Sequence, residues 1–458
     1  MRKFRSFVKR QFGRGKPAGQ QNHGPPKQPR QAPMQGSGQP HPPSNPQQPH
    51  APPPPPFQPQ PEPQKPIVSQ SVAPNVKVQA NTLTIALVNR SQSSNVYATL
   101  TGRAIDQNNA LFLLQSDGQT PYLPANPPSV GSGLSANVAI RLGAPGSTTN
   151  LTIPHIAGGR IYFSVNNPLS FFVNPGPALV EPSVTNPSDP NINTHWTFAE
   201  FTFNAEQLYA NISYVDFVSS IPLALNLTTA SNQTLTVAGL ETNGLDQVAG
   251  ALQAQHAQDG KPWDQLIVRS PQGGNLRVIS PNLGRVGNDS LFEGYFEPYV
   301  DQVYASYADR DLHIDTQTGY GVLSARTAGA NLTFVSAAGK QTTNPFAKPS
   351  TGDIFSCSTG PFATGDNQEV NAIIPRLAAA FNRSTLFKTD QLPAPQSTYY
   401  QETITNHYSR VVHEANSDGR GYAFPYDDVQ PTGGKDASGA VFAGDATVWS
   451  VIIGGGPW

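Results

Sequence analysis

Cysteine is nearly missing from this chain: Cys357 is the only one in 458 residues. A lone thiol excludes any disulfide within the chain, so the fold must be held by packing. No cysteine-protease signature surrounds it, and a structural thiol is expected. Long apolar runs are also lacking. Nowhere do the ~20 apolar residues of a membrane span occur, and Met1-Arg-Lys-Phe-Arg-Ser-Phe-Val-Lys-Arg-Gln-Phe12 has no continuous apolar core of the ~7–15 residues that a secretory signal requires. No conventional export signal is visible, and the compartment stays open. His407, His413 and Glu414 lack the spacing of two metal ligands one helical turn apart. Gly158-Gly159 and Gly454-Gly455-Gly456 lack the Lys and the strand-to-helix setting of a phosphate loop. Neither metal nor cofactor is expected.

What is abundant is proline, and it is unevenly placed. Residues 1–66 hold 19 of the 46 prolines, with a run from Pro52 to Pro56 and no hydrophobic periodicity. Such a segment cannot bury enough apolar surface to offset its ordering entropy, which predicts a disordered tail with polyproline II character over residues 1–75. It carries ten basic side chains and one acid, Glu62. Of the chain's 29 basic and 30 acidic residues, 19 and 29 then remain, a formal charge of −10 on the rest. Contact of the basic tail with an anionic surface is one expectation; too few aromatics accompany the cations for base stacking, and nucleic acid is not an expected partner. Eight Asn-x-Ser/Thr sites, Asn211 among them, permit a secretory route without establishing one.

Past the tail, Leu83–Val88, Val96–Thr101, Ala110–Leu114, Ala139–Leu142, Arg160–Ser164 and Leu169–Val173 are short apolar runs separated by Gly, Pro, Asn and Ser. Many short strands at such spacing predict a β-sandwich or barrel over 76–221. Helical patterns follow at Gly244–His256, Ser290–Tyr307 and Val370–Phe381, interleaved with strand runs at Asp264–Val268, Gly321–Ser324 and Leu332–Val335. A mixed α/β domain over 222–410 fits this change of period, with 411–458 returning to complete the barrel.

Two acids stand out. Glu200 and Asp216 lie sixteen residues apart in Trp196-Thr-Phe-Ala-Glu-Phe-Thr-Phe-Asn204 and Leu208-Tyr-Ala-Asn-Ile-Ser-Tyr-Val-Asp-Phe217, which read as two strands joined by the Asn204–Gln207 turn. Period-two alternation puts Trp196, Phe198, Glu200, Thr202 and Asn204 on one face, and Ile212, Tyr214 and Asp216 on one face of the second strand. An even register of the hairpin would bring the acids together on a common face. Paired carboxyls on a rigid sheet suit hydrolysis of a glycosidic bond, one protonating the leaving oxygen and one activating water or attacking. Solvent-side acids of amphipathic strands are the plain alternative.

The hairpin, together with Gly158-Gly-Arg-Ile-Tyr-Phe-Ser164 and Asp418-Gly-Arg-Gly-Tyr-Ala-Phe-Pro-Tyr-Asp-Asp-Val429, resembles glycoside hydrolase family 64, the endo-β-1,3-glucanases on a thaumatin-like barrel. The resemblance spans roughly Thr82 to Gly456. It implies β-1,3-glucan as partner, inversion with Glu200 as general acid and Asp216 as general base, and a groove between barrel and α/β domain. Thr202 and Asn204 match substrate-lining positions of the family; Tyr209 stands where the family often has Trp, and Ser213 where it often has Thr. As general acid, Glu200 should have a pKa above the ~4.3 of a free Glu. A secreted or wall-associated monomer is implied. The competing expectation is a thaumatin-like glucan-binding or defence module without turnover.

Overall fold

The computed structural model describes residues 81–336, 339 and 345–455. The Pro-rich tail and its expected surface contact lie outside the described residues. Mainly β architecture with a mixed α/β segment, as the sequence predicts, is what forms. One sheet of five strands runs Thr234–Val237, Leu223–Thr229, Ala446–Ile453, Leu83–Asn89, Thr148–Ile153. Leu83–Asn89 pairs in parallel with Ala446–Ile453, so both ends of the described chain meet in one sheet. A second sheet, of eight strands, runs Ala440–Ala443, Leu208–Ile212, Trp196–Phe203, Ile156–Val165, Val96–Ala104, Ala110–Leu114, Pro121–Tyr122, with the short Ile140–Arg141 also on Val96–Ala104; three smaller sheets complete the described residues. Ile85, Leu87, Leu151, Leu225, Trp449 and Val451 from the first sheet and Ala98, Leu100, Ile161, Phe163, Phe201 and Phe203 from the second share one buried core. Alternation of these apolar residues with polar ones is what assigns each strand its inner face.

The expected domain boundary at 222 falls inside the five-stranded sheet, because Leu223–Thr229 pairs along its length with Ala446–Ile453. Leu223–Thr229 and Thr234–Val237 pair with each other as the edge of that sheet. The strand Asp264–Val268 is corrected: Pro262–Leu266 is a 3-10 turn, with strand only at Ile267–Arg269. The long aromatic helix also shortens to Glu297–Ser306, since Phe292 and Gly294 adopt left-handed backbone (φ +60° and +71°) that no continuous helix tolerates. Gly244–Asp259 and Gln368–Asn382 form as helices. Asn367 caps the latter, its side chain accepting from the Glu369 and Val370 amides.

Gly158 and Gly159 have a structural explanation. Gly158 sits at φ +54° next to a register shift between Phe201 and Phe203, the backbone irregularity of a bulge. A Cβ on Gly159 would fall on the Phe201 ring, which packs against Trp449 in the core at 5.2 Å. Gly159→Ala should therefore destabilise by about 1–3 kcal/mol through overpacking, read as a lower urea midpoint at unchanged slope. A loss below about 0.5 kcal/mol would mean that the Phe201 ring moves aside freely.

Candidate active site

Strand register decides which side chains share the outer face of the hairpin. Glu200 pairs with Asn211 and Thr202 with Tyr209, and directly paired residues project to the same side. Ser213, two beyond Asn211, continues that row and bridges to Tyr422. Glu200, Thr202, Tyr209 and Ser213 thus come together. The expected face of Ile212 and Tyr214 is corrected: Ile212 opposes Ala199, and both belong to the core with Tyr214. The register is odd with respect to these residues, so strand alternation does not carry Asp216 to Glu200.

Asp216 lies beyond the two hairpin strands. It sits in a bend after the hairpin, and its neighbour Phe217 begins the short strand Phe217–Ser219 that pairs with Asn275–Ile279. The Phe217 ring packs on Trp196 at 4.7 Å and on Phe198 at 5.9 Å. Trp196 and Phe198 are on the Glu200 face of their strand, in a cluster with Tyr162, Leu169, Phe171 and Val184 separate from the main core. The chain therefore folds back over the Glu200 face by apolar burial, and the Ser280 amide donates to the Asp216 carbonyl at 2.8 Å. Tyr408, buried, donates its hydroxyl to the Tyr214 carbonyl at 2.6 Å, which fixes the approach to the bend.

Arg160, opposite Glu200 on the neighbouring strand, is a site residue that the sequence reading missed. Its Nη2 lies 3.2 Å and its Nε 3.4 Å from Glu200 Oε1, while Nη1 meets Glu181 Oε2 at 2.9 Å. Tyr162 donates to the other Glu181 oxygen at 2.7 Å. One guanidinium thus divides its charge between two carboxylates, with the closer contact to Glu181. Period-two alternation makes Arg160 outward-facing, but only the strand order reveals its neighbour. Of the remaining expected residues, Thr202 Oγ1 accepts a long bond from the Gly158 amide at 3.4 Å. Asn204 Oδ1 accepts from the Glu206 and Gln207 amides at 2.9 and 2.8 Å, closing the hairpin turn. Asn211 is fully buried, which leaves no room for a glycan at that sequon.

The segment 422–429 flanks the row. The Tyr214 amide donates to the Tyr422 carbonyl at 2.7 Å, and the Tyr422 hydroxyl is bonded to Asp428. Burial, then the Asp428 charge, pushes Tyr422 well above its ordinary range, with Glu200 a further contributor; Tyr209 moves upward for the same reasons. Asp428 and Glu200 therefore act on the same two phenols. The adjacent Asp427 turns inward and is completely buried. Its carboxylate accepts from Arg383 Nη2 at 2.8 Å, His413 Nε2 at 3.0 Å and the Ala423 amide at 2.9 Å. Arg383, itself 3% exposed, also donates to the Asp427 and Val429 carbonyls. This network pins the strip that presents Tyr422 and Asp428.

His413 and His407 are thereby accounted for. Burial works against a proton on His413, but the Asp427 carboxylate outweighs it and raises the pKa; Asp427 is lowered, desolvation being overcome by His413 and Arg383. His407 is driven down to about 4 by burial and by Arg410. A histidine whose folded pKa is raised contributes stability that is complete below its unfolded value near 6.5 and fades as pH climbs through the folded value. The lowered Asp427 contributes above about 4 and loses its share as pH falls through its folded value. The stability of the protein should therefore decline on the alkaline side, and His413→Gln should flatten that decline. Urea midpoints for both proteins from pH 6 to 9 test this, parallel curves being the contrary result. Among the described residues no group of three or more His, Cys, Asp or Glu is placed to hold a metal ion, and no helix is long and apolar enough to cross a membrane.

Known proteins resemble this chain in sequence and in fold. The family model described as β-1,3-glucanase, glycoside hydrolase family 64, matches residues 81–453, and the chain belongs to that family. A glucan endo-1,3-β-glucosidase of Cellulosimicrobium cellulans is 30% identical over 285 residues, 62% of this chain and 50% of that protein. One of Arthrobacter sp. (strain YCWD3) is 29% identical over the same shares. This chain thus spans about half the length of the curated relatives it matches. Among solved structures, a laminaripentaose-producing β-1,3-glucanase in complex with laminaritetraose superposes with TM-score 0.72 at 27% identity, covering 81% of this chain and 98% of that one. A β-1,3-glucanase domain from Clostridium beijerinckii gives TM-score 0.64 at 19% identity, with 82% and 99% covered.

Proposed function

We propose that the protein is a glycoside hydrolase that cleaves β-1,3-glucan internally, with Glu200 as general acid and Asp216 as general base in a single inverting displacement. The observation that supports this reading is the fold-back of Phe217 onto Trp196 and Phe198, which brings the segment next to Asp216 over the sheet face that bears Glu200. Membership of the β-1,3-glucanase family over residues 81–453 supports the substrate.

Glu200 Oε1 is oriented by Arg160, while Glu181 takes the closer share of that guanidinium. A proton on Glu200 would pass to the leaving glycosidic oxygen, and Asp216 would take one from the attacking water on the opposite sugar face. Thr202, Asn204 and Tyr209 line the path of the glucan chain; Ser213, 4% exposed, continues the row but offers the chain little surface. Asn204 has its carbonyl oxygen engaged in the turn and so offers its amide nitrogen. Inversion is tested by following the first product by NMR: α-anomeric reducing ends appearing before mutarotation are expected. An initial β-anomer would require a covalent intermediate and would overturn the assignment of Asp216 as base. A glucan-binding module without turnover is the reading that remains if no product forms.

A further inference from the structure

The row that contains Thr202 and Tyr209 does not end on the hairpin. Tyr209 pairs with Phe442 and Asn211 with Ala440 on the strand Ala440–Ala443, which is the edge of the eight-stranded sheet. Thr202, Tyr209 and Phe442 therefore stand side by side on three successive strands, facing the same way as Glu200. With strands about 4.8 Å apart, the Phe442 ring is set beside Tyr209 and one pleat repeat along from the row Glu200–Asn211–Ala440. A chain passing Glu200 along Thr202 and Tyr209 would meet it.

Exposure marks Phe442 out from its neighbours. It is 45% exposed, whereas Val441 and Ala440 on the same strand are buried. A single exposed apolar residue is common and carries nothing by itself; its alignment with the site does. An edge strand is ordinarily blunted by charge or proline, and an outward phenylalanine runs against that protection. Tyr209, standing where an aromatic platform is implied, is only half-exposed and has its hydroxyl oxygen buried. The ring face open to solvent in this row is that of Phe442.

We propose that Phe442 is a glucan-binding residue, stacking on the apolar face of a glucosyl ring of a bound β-1,3-glucan beyond the Thr202–Tyr209 position. The inference rests on the proposed substrate and deepens it: long chains gain a contact that short ones do not reach. Covering the exposed part of such a ring is worth about a tenfold change in affinity, or about 1.4 kcal/mol.

Affinity electrophoresis in a linear soluble β-1,3-glucan measures binding without reference to turnover. Phe442→Ala is expected to bind about tenfold more weakly, with unchanged melting temperature, while Phe442→Trp binds at least as tightly as the parent. In hydrolysis of the polymer the Ala variant should show a raised KM with kcat preserved. Binding by Phe442→Ala within twofold of the parent, or a loss of kcat at unchanged KM, overturns the proposal while leaving the substrate assignment intact. A parent protein that binds no β-1,3-glucan overturns both.

Discussion

Replacing Glu200 by Gln is expected to lower turnover of a linear β-1,3-glucan by about 10²–10⁴-fold, the ordinary worth of general acid assistance. Asp216→Asn should lose a similar amount. The two losses differ in how they can be repaired. Azide can attack in place of an activated water when Asp216 is Ala, and the product should be a glycosyl azide of inverted configuration. The Glu200 variants should instead regain rate on substrates whose leaving group needs no proton. Glu200→Gln and Asp216→Asn both keep the size of the side chain, so stability should change little. Near-normal turnover in either variant would show that its residue had been given the wrong role.

The second large effect concerns folding. Arg383 and Asp427 are almost wholly buried and paired at 2.8 Å. Removing one partner leaves an uncompensated charge in the interior, which costs about 3–5 kcal/mol. Arg383→Met should fall in that range, since it also abandons the carbonyls of Asp427 and Val429 and the rings of Tyr399 and Phe424 over which the guanidinium lies at 4.2 and 5.2 Å. Asp427→Asn keeps the shape but leaves Arg383 and His413 without their counter-charge, so it should be nearly as harmful. The double variant should cost less than the sum, because the charges are lost together. Denaturant titration reads all three; additive losses would mean that the two residues act independently. A further consequence is loss of activity at temperatures below unfolding, as the strip carrying Tyr422 and Asp428 loosens.

The strands and helices were largely legible because their signals are local. Leu83, Ile85 and Leu87, or Val248 and Leu252 on the first helix, declare their period without any partner. What escaped the sequence required knowledge of neighbours. Alternation correctly put Trp196, Phe198, Glu200 and Thr202 on one face, but the offset between the two hairpin strands is set by the Asn204-capped turn. That offset put Asn211, not Ile212, opposite Glu200. The packing of Phe217 on Trp196 and Phe198, which brings the segment beside Asp216 over the Glu200 face, has no local signal in the sequence. Arg160, Glu181, Asp428 and Phe442 are separated from Glu200 by 19 to 242 positions, and only the folded chain brings them to its side. The Asp427-Asp428 pair shows the limit most plainly. Two identical side chains in succession take opposite fates, one fully buried on Arg383 and His413, the other bonded to Tyr422 at the site.

The central claim is hydrolysis of β-1,3-linkages by this site, and reducing-sugar release tests it most directly. The full chain incubated with a linear β-1,3-glucan should liberate reducing ends with a rapid fall in polymer length, as internal cleavage requires, and should liberate none from a β-1,4-glucan. Folded protein that releases nothing from the β-1,3 polymer, or that acts equally on both, would contradict the account.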